Sequence, residues 1–160
     1  LVRQRYIALL ASGQQMLGTL QEFGTVHCSL GLHRDDVGGD AQPLLSLFTI
    51  TWHDTPAAPR AVTAARAVAA VSCGHRRVAY LELPCGPATV SEVLRPPAEG
   101  GPLSGLPLLQ VHAHLPHPDC KRLAVLSVSS AAVARRAEYR AVLEGIAGTV
   151  RFTNPLGAAS

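Results

Sequence analysis

The densest run of side chains able to do chemistry is HAHLPHPDC, which gathers His112, His114, His117 and Cys120. Residues two apart on a strand share a face, so His112 and His114 would converge on one ion. His117 and Cys120, on the turn forced by Pro116 and Pro118, would complete a four-ligand zinc or copper set. The plainer alternative is two exposed strand histidines followed by a proline turn that happens to hold a cysteine. His27 and His33 fall on the outward side of an earlier strand. If that strand neighbours the one bearing His112 and His114, the shared face would titrate near neutral pH.

Other chemistry is sparsely supplied. Cys73 with His75, or Cys28 with His27, would make a nucleophile pair only if the side chains met, and near neighbours on a strand point apart. Cys28 falls among apolar residues, where a thiol is inert. Asp35, Asp36 and Asp40 surround two glycines but lack the EF-hand spacing and its terminal Glu, so they read as a solvated hairpin tip. Arg34, Arg60, Arg76 and Arg77 would form an anion patch only if the fold gathers them. Lys121 is the single lysine, in a polar turn, and Glu82 and Glu92 stand isolated in sequence. There is no GxGxxG after a strand, no Walker A loop, no GxSxG elbow and no HExxH. These absences lean against an enzyme and assign no catalytic residue.

The elements that must position these residues follow from periodicity. Val2, Tyr6, Leu9, Leu10, Leu17 and Leu20 recur at helical steps, predicting an amphipathic helix that Gly24 ends. Residues 25–34 alternate, with Val26, Cys28, Leu30 and Leu32 on the inward side, and residues 44–53 resume the strand after a polar turn, predicting an antiparallel hairpin. Asp54 or Thr55 caps an Ala-rich helix whose inner side is Val62, Ala65, Val68 and Ala69. Strands follow at 76–83, 88–94, 106–115 and 123–129. On the third of these, Leu109, Val111, Ala113 and Leu115 face inward and Gln110, His112 and His114 face away. The last helix places Tyr139, Val142, Leu143, Ile146 and Val150 on one face.

The order α, β, β, α, four strands, α has no steady β-α-β alternation. It predicts an α+β fold, an antiparallel, mostly meandering sheet of about six strands with helices packed on it. The 160 residues suit a single domain: an N-terminal helix at 1–24, an α+β core at 25–155 and a frayed tail at 156–160. Nearly half the chain is apolar, 48%, which is enough for a sizeable core. A net charge of +3 with scattered arginines and only 4% aromatics argues against a nucleic-acid surface. The four widely spaced cysteines, Cys28, Cys73, Cys85 and Cys120, form neither a zinc ribbon nor a disulfide framework and read as reduced thiols in the cytoplasm. No apolar run reaches the length of a membrane span. The chain starts at Leu1, so a removed leader and export stay open. Heavy use of Ala, Arg, Gly and Pro with one Lys suggests a GC-rich genome.

The strand LLSLFTITWH followed by the helix APRAVTAARAVAA, and LAVLSVSS followed by EYRAVLEGIAGTVRF, together resemble the Mog1/PsbP-like fold over residues 25–155. That resemblance implies a binding or accessory module and transfers no functional residue. The leading expectation is a non-catalytic accessory or protein-interaction domain of a GC-rich bacterium, with no cofactor. It would use a sheet face or edge for a protein partner or for self-association. Two alternatives stand beside it. One is a metal-binding protein built on the His/Cys turn. The other is a small-molecule binder or enzyme with a cleft between sheet and helices.

Overall fold

In the computed structural model, residues 18–34, 43–70, 75–96 and 106–153 are described. Six strands form one antiparallel sheet: β1 (Thr25–Arg34), β2 (Pro43–Asp54), β3 (His75–Leu83), β4 (Gly86–Arg95), β5 (Leu108–Pro116) and β6 (Arg122–Ser130). Their spatial order is β1-β2-β6-β5-β4-β3. Helix α1 (Arg60–Ala70) carries the chain from β2 across the sheet to the far edge, and α2 (Arg136–Thr149) follows β6 after a 3-10 turn at Val133–Arg135. The α+β class, the antiparallel sheet and the packed helices expected from sequence are all present.

Cross-strand register shows that the helices cover opposite faces. Directly opposed residues in an antiparallel sheet lie on the same side. One row runs Ile50, Leu126, Ala113, Val90, and a parallel row runs Phe48, Val128, Val111, Glu92. With Leu115, Tyr139, Leu143 and Ala147 these rows form the apolar core beneath α2. The intervening rows, Thr51–Val125–His114–Thr89 and Thr49–Ser127–His112–Ser91, face the other way, toward α1. The Thr89 hydroxyl donates to the Ala64 carbonyl of α1 at 3.1 Å, which ties helix to sheet on that side.

Gly24 ends the helical residues 18–22 as its position predicts. Its φ is +77°, and a Cβ there would stand 2.5 Å from the Trp52 carbonyl oxygen. The rest of the expected N-terminal helix, Asp35, Asp36 and Asp40, Cys73 and the tail at 156–160 lie outside the described residues.

Three expectations change. The apolar side of β1 is not buried: Leu30 and Leu32 are 64% and 75% exposed. β1 is an edge strand, so correct alternation does not bring burial. On α1, Thr63 and Ala64 are buried and Ala65, Ala67 and Val68 half-buried, whereas Val62 and Ala69, expected on the inner side, are exposed. The sheet face beneath it is polar and draws the small and hydroxylated stripe. On α2, Tyr139 and Leu143 are buried, but Val142 is 56% exposed and Arg140 and Ala147 take inward positions. Arg140 turns in because Glu92 of β4 meets it at 3.4 Å, and it also donates to Glu144 at 2.8 Å.

Candidate functional site: a polar cleft between α1 and the sheet

β-strand alternation alone places His112 and His114 on one face of β5, and the structure agrees, with ring centroids 6.1 Å apart. That face is roofed by α1. His114 is therefore only 3% exposed, unlike the solvent-facing strand histidine of the plainer reading. His112 Nδ1 lies 2.7 Å from the Ser127 hydroxyl of β6. Around the pair opens a cleft of about 500 Å³. Its floor includes Thr51, His53, Val125 and Ser127, and its helical wall is Thr63, Arg66 and Ala67. Thr55 and Pro56 form its rim, and Arg95 projects from the end of β4.

The wall is fixed by Arg60, the first residue of α1. Its guanidinium donates to the Pro116 carbonyl through Nε at 3.0 Å and Nη2 at 2.8 Å, and also to the Cys85 carbonyl. One side chain thus ties the start of the helix to the end of β5 and to the β3–β4 turn. Gly86 admits the guanidinium: its φ is +117°, and a Cβ there would overlap Arg60. Burial pushes the Cys85 thiol upward and outweighs the opposing effect of Arg60, so this cysteine is not an activated nucleophile.

The rim is fixed by the β5–β6 turn. The Asp119 carboxylate accepts the amides of Lys121 at 2.9 Å and Arg122 at 3.1 Å, and pairs with the Arg122 guanidinium at 2.7 Å. The Lys121 amide first, then Arg122 and His117, hold this carboxyl well below the usual carboxylate range. The turn then presents the Lys121 carbonyl to the Thr55 amide at 2.7 Å and the Cys120 carbonyl to the Ala58 amide at 3.3 Å. Cys120 takes a left-handed conformation within it, φ 59°.

That turn also separates the four residues expected to ligate metal. His117 packs on Trp52 and Phe152, at 5.7 Å and 5.0 Å between ring centroids, on the α2 side of the sheet. Cys120 directs its Sγ to the Pro118 carbonyl at 3.7 Å. The structure brings His112 and His114 together but does not bring His117 to them, and no cluster of three or more His, Cys, Asp or Glu suited to a metal occurs among the described residues. His117 follows the alternation of β5 past Pro116, on the side of Leu115 and opposite His112 and His114, and its amide still donates to the Arg122 carbonyl of β6 at 2.8 Å. His27 and His33 lie on the α2 side, beside Phe48 and Ser46, so they share no face with His112 and His114. β2 and β6 stand between the two strands.

Sequence reasoning missed the hydroxyls. Thr63 is 5% exposed and Ser91 wholly buried, and their oxygens, like that of Thr55, have no hydrogen-bond partner among the described residues. Thr55 and Thr63 line the cleft, and Ser91 stands directly across from His112 in register. A buried hydroxyl left unsatisfied costs about 1–3 kcal/mol, so two on residues lining one cleft, with a third on the strand beneath α1, mark the polar side of the sheet as more than packing. The available signal was the run Thr89, Ser91 on β4 in register with polar positions on β5, legible only once the pairing is known. No family model, curated protein or solved structure matches the chain. Among the described residues, no helix is long and apolar enough to cross a membrane.

Proposed function

We propose that this chain is a non-catalytic accessory module that holds a small polar ligand in the cleft between α1 and the sheet. The carrying observation is the cleft that His112 and His114 line together with Thr55 and Thr63, whose buried hydroxyls have no hydrogen-bond partner among the described residues. The cleft's size falls in the usual range for small-molecule sites. The succession of hairpin, helix, four-strand meander and Tyr-bearing closing helix supports a Mog1/PsbP-like assignment. The free thiols of Cys28, Cys85 and Cys120 support a reducing, cytoplasmic setting in a GC-rich bacterium. The test is native mass spectrometry of protein purified under gentle conditions, beside an Ala67→Phe variant that fills the cleft. Retained small-molecule mass in the parent protein and its loss in the folded variant is the expected result. Equal retention in both would move the ligand elsewhere.

A second reading has its own observation. β1 is the outer strand of the described sheet, its apolar Leu30 and Leu32 are solvent-exposed, and no charged side chain lies between Thr25 and Leu32. Edge strands of monomers are usually guarded by charge or proline. An antiparallel β1–β1 pairing about a twofold axis would bring Leu30 and Leu32 of two copies together, so the partner we assign is a second copy of this chain. Light scattering across a concentration series checks this. A dimer that Leu30→Lys dissociates is expected, and a monomer at all concentrations removes the reading.

A further inference from the structure

We infer that the ligand of the α1 cleft is an organic anion: a carboxylate or phosphoryl head group on an apolar body. The inference rests on the cleft being a binding site and adds the charge and shape of what it takes. Arg66 from the helical wall and Arg95 from β4 both line the space, and both are permanently cationic. His53, His112 and His114 line it too, and an imidazole offers at least one N–H donor in either protonation state. No Asp or Glu is among the described lining residues. Two carboxylates of the neighbouring strands and turn are committed elsewhere. Glu92 points through the opposite sheet face to Arg140, and Asp119 is held in its turn by Lys121, Arg122 and His117.

A cleft whose described lining holds two arginines, three imidazoles and no carboxylate favours negative charge. Thr55 and Thr63 line the same space, and their buried hydroxyls have no hydrogen-bond partner among the described residues. Charge-assisted hydrogen bonds to a carboxylate or phosphate are about twice as strong as neutral ones. The remaining surface is not polar. Pro56, Ala67, Leu123 and Val125 line the cleft as well. These residues suit an alkyl or ring body and disfavour a bare inorganic ion, which would leave them against water.

The test uses four probes of one chain length, octanoate, octyl phosphate, octanol and octylammonium, titrated into the full chain by calorimetry. Octanoate or octyl phosphate should bind at least about tenfold more tightly than octanol, with octylammonium weakest. Whichever anion wins identifies the head group. Arg66→Gln and Arg95→Gln, both exposed positions that should leave folding intact, should each weaken the anion about tenfold and leave octanol unchanged. If octanol and the anions bind alike, and Ala67→Phe abolishes all of them, the cleft stands and the anionic assignment falls. If no probe binds, both fall. Anion binding that survives Ala67→Phe would also overturn the inference, because the charge would be read outside the cleft.

Discussion

The two faces of the sheet are made by the same six strands, alternate residues apart, yet they do opposite work. Beneath α2 lie Val90, Val111, Ala113, Leu115 and Leu126, closed by Tyr139, Leu143 and Ala147 into a close-packed layer. Beneath α1 lie Thr51, Thr89, Ser91, His112, His114 and Ser127, with a cleft of about 500 Å³ beside them. The first face carries the apolar burial that holds the fold. The second contributes less burial and leaves polar atoms unsatisfied, a cost that the first face can offset. Stability and binding are thus divided across the thickness of one sheet.

The largest expected effect lies on the α2 side. Leu143 is completely buried, and Leu143→Ala should lower stability by about 2–5 kcal/mol through lost transfer energy and a cavity. Urea denaturation measures it, and a loss under 1 kcal/mol would mean that α2 is not the main packing partner of the sheet. Next comes the buried Arg140–Glu92 pair on that face. Glu92→Ala leaves Arg140 buried with only Glu144 to compensate it, and about 3 kcal/mol should be lost. A fully tolerated substitution would show that Arg140 simply turns outward.

The sign should reverse across the sheet. Ser91→Ala removes a buried hydroxyl that has no partner among the described residues, so the chain should gain up to about 1 kcal/mol. A loss of stability in urea denaturation instead would mean that the Ser91 hydroxyl contributes to the packed structure. The smallest effect concerns the rim. Asp119 has its carboxyl held below the ordinary range, so its contribution is complete above the unfolded value of about 3.9 and fades as pH falls through the lower folded value. Asp119→Asn should flatten that strongly acidic limb of the stability profile and change little at neutrality. An unchanged acid limb in thermal melts would show that the turn holds without the charge.

Some of this was legible in the residues alone. The alternation of Leu109, Val111, Ala113 and Leu115 against Gln110, His112 and His114 determined which side of β5 is core, because a strand has only two sides. The spacing of Tyr139 and Leu143 determined a helix with one buried stripe. The turn residues determined hairpins, and hence an antiparallel sheet. Periodicity reports which side a residue faces but not what stands opposite. Leu30 and Leu32 have the pattern of a buried face and are exposed, because β1 falls at the sheet edge. His117 is three residues from His114 and lies on the other side of the sheet, as the alternation of β5 carried one step past Pro116 requires. Ser91 and His112, separated by a segment outside the described residues, meet only through the β4–β5 register. Sequence fixes such local choices through backbone geometry and side-chain size. The cleft required the long-range placement of α1, which Arg60 secures through carbonyls of Cys85 and Pro116 that no local pattern brings together.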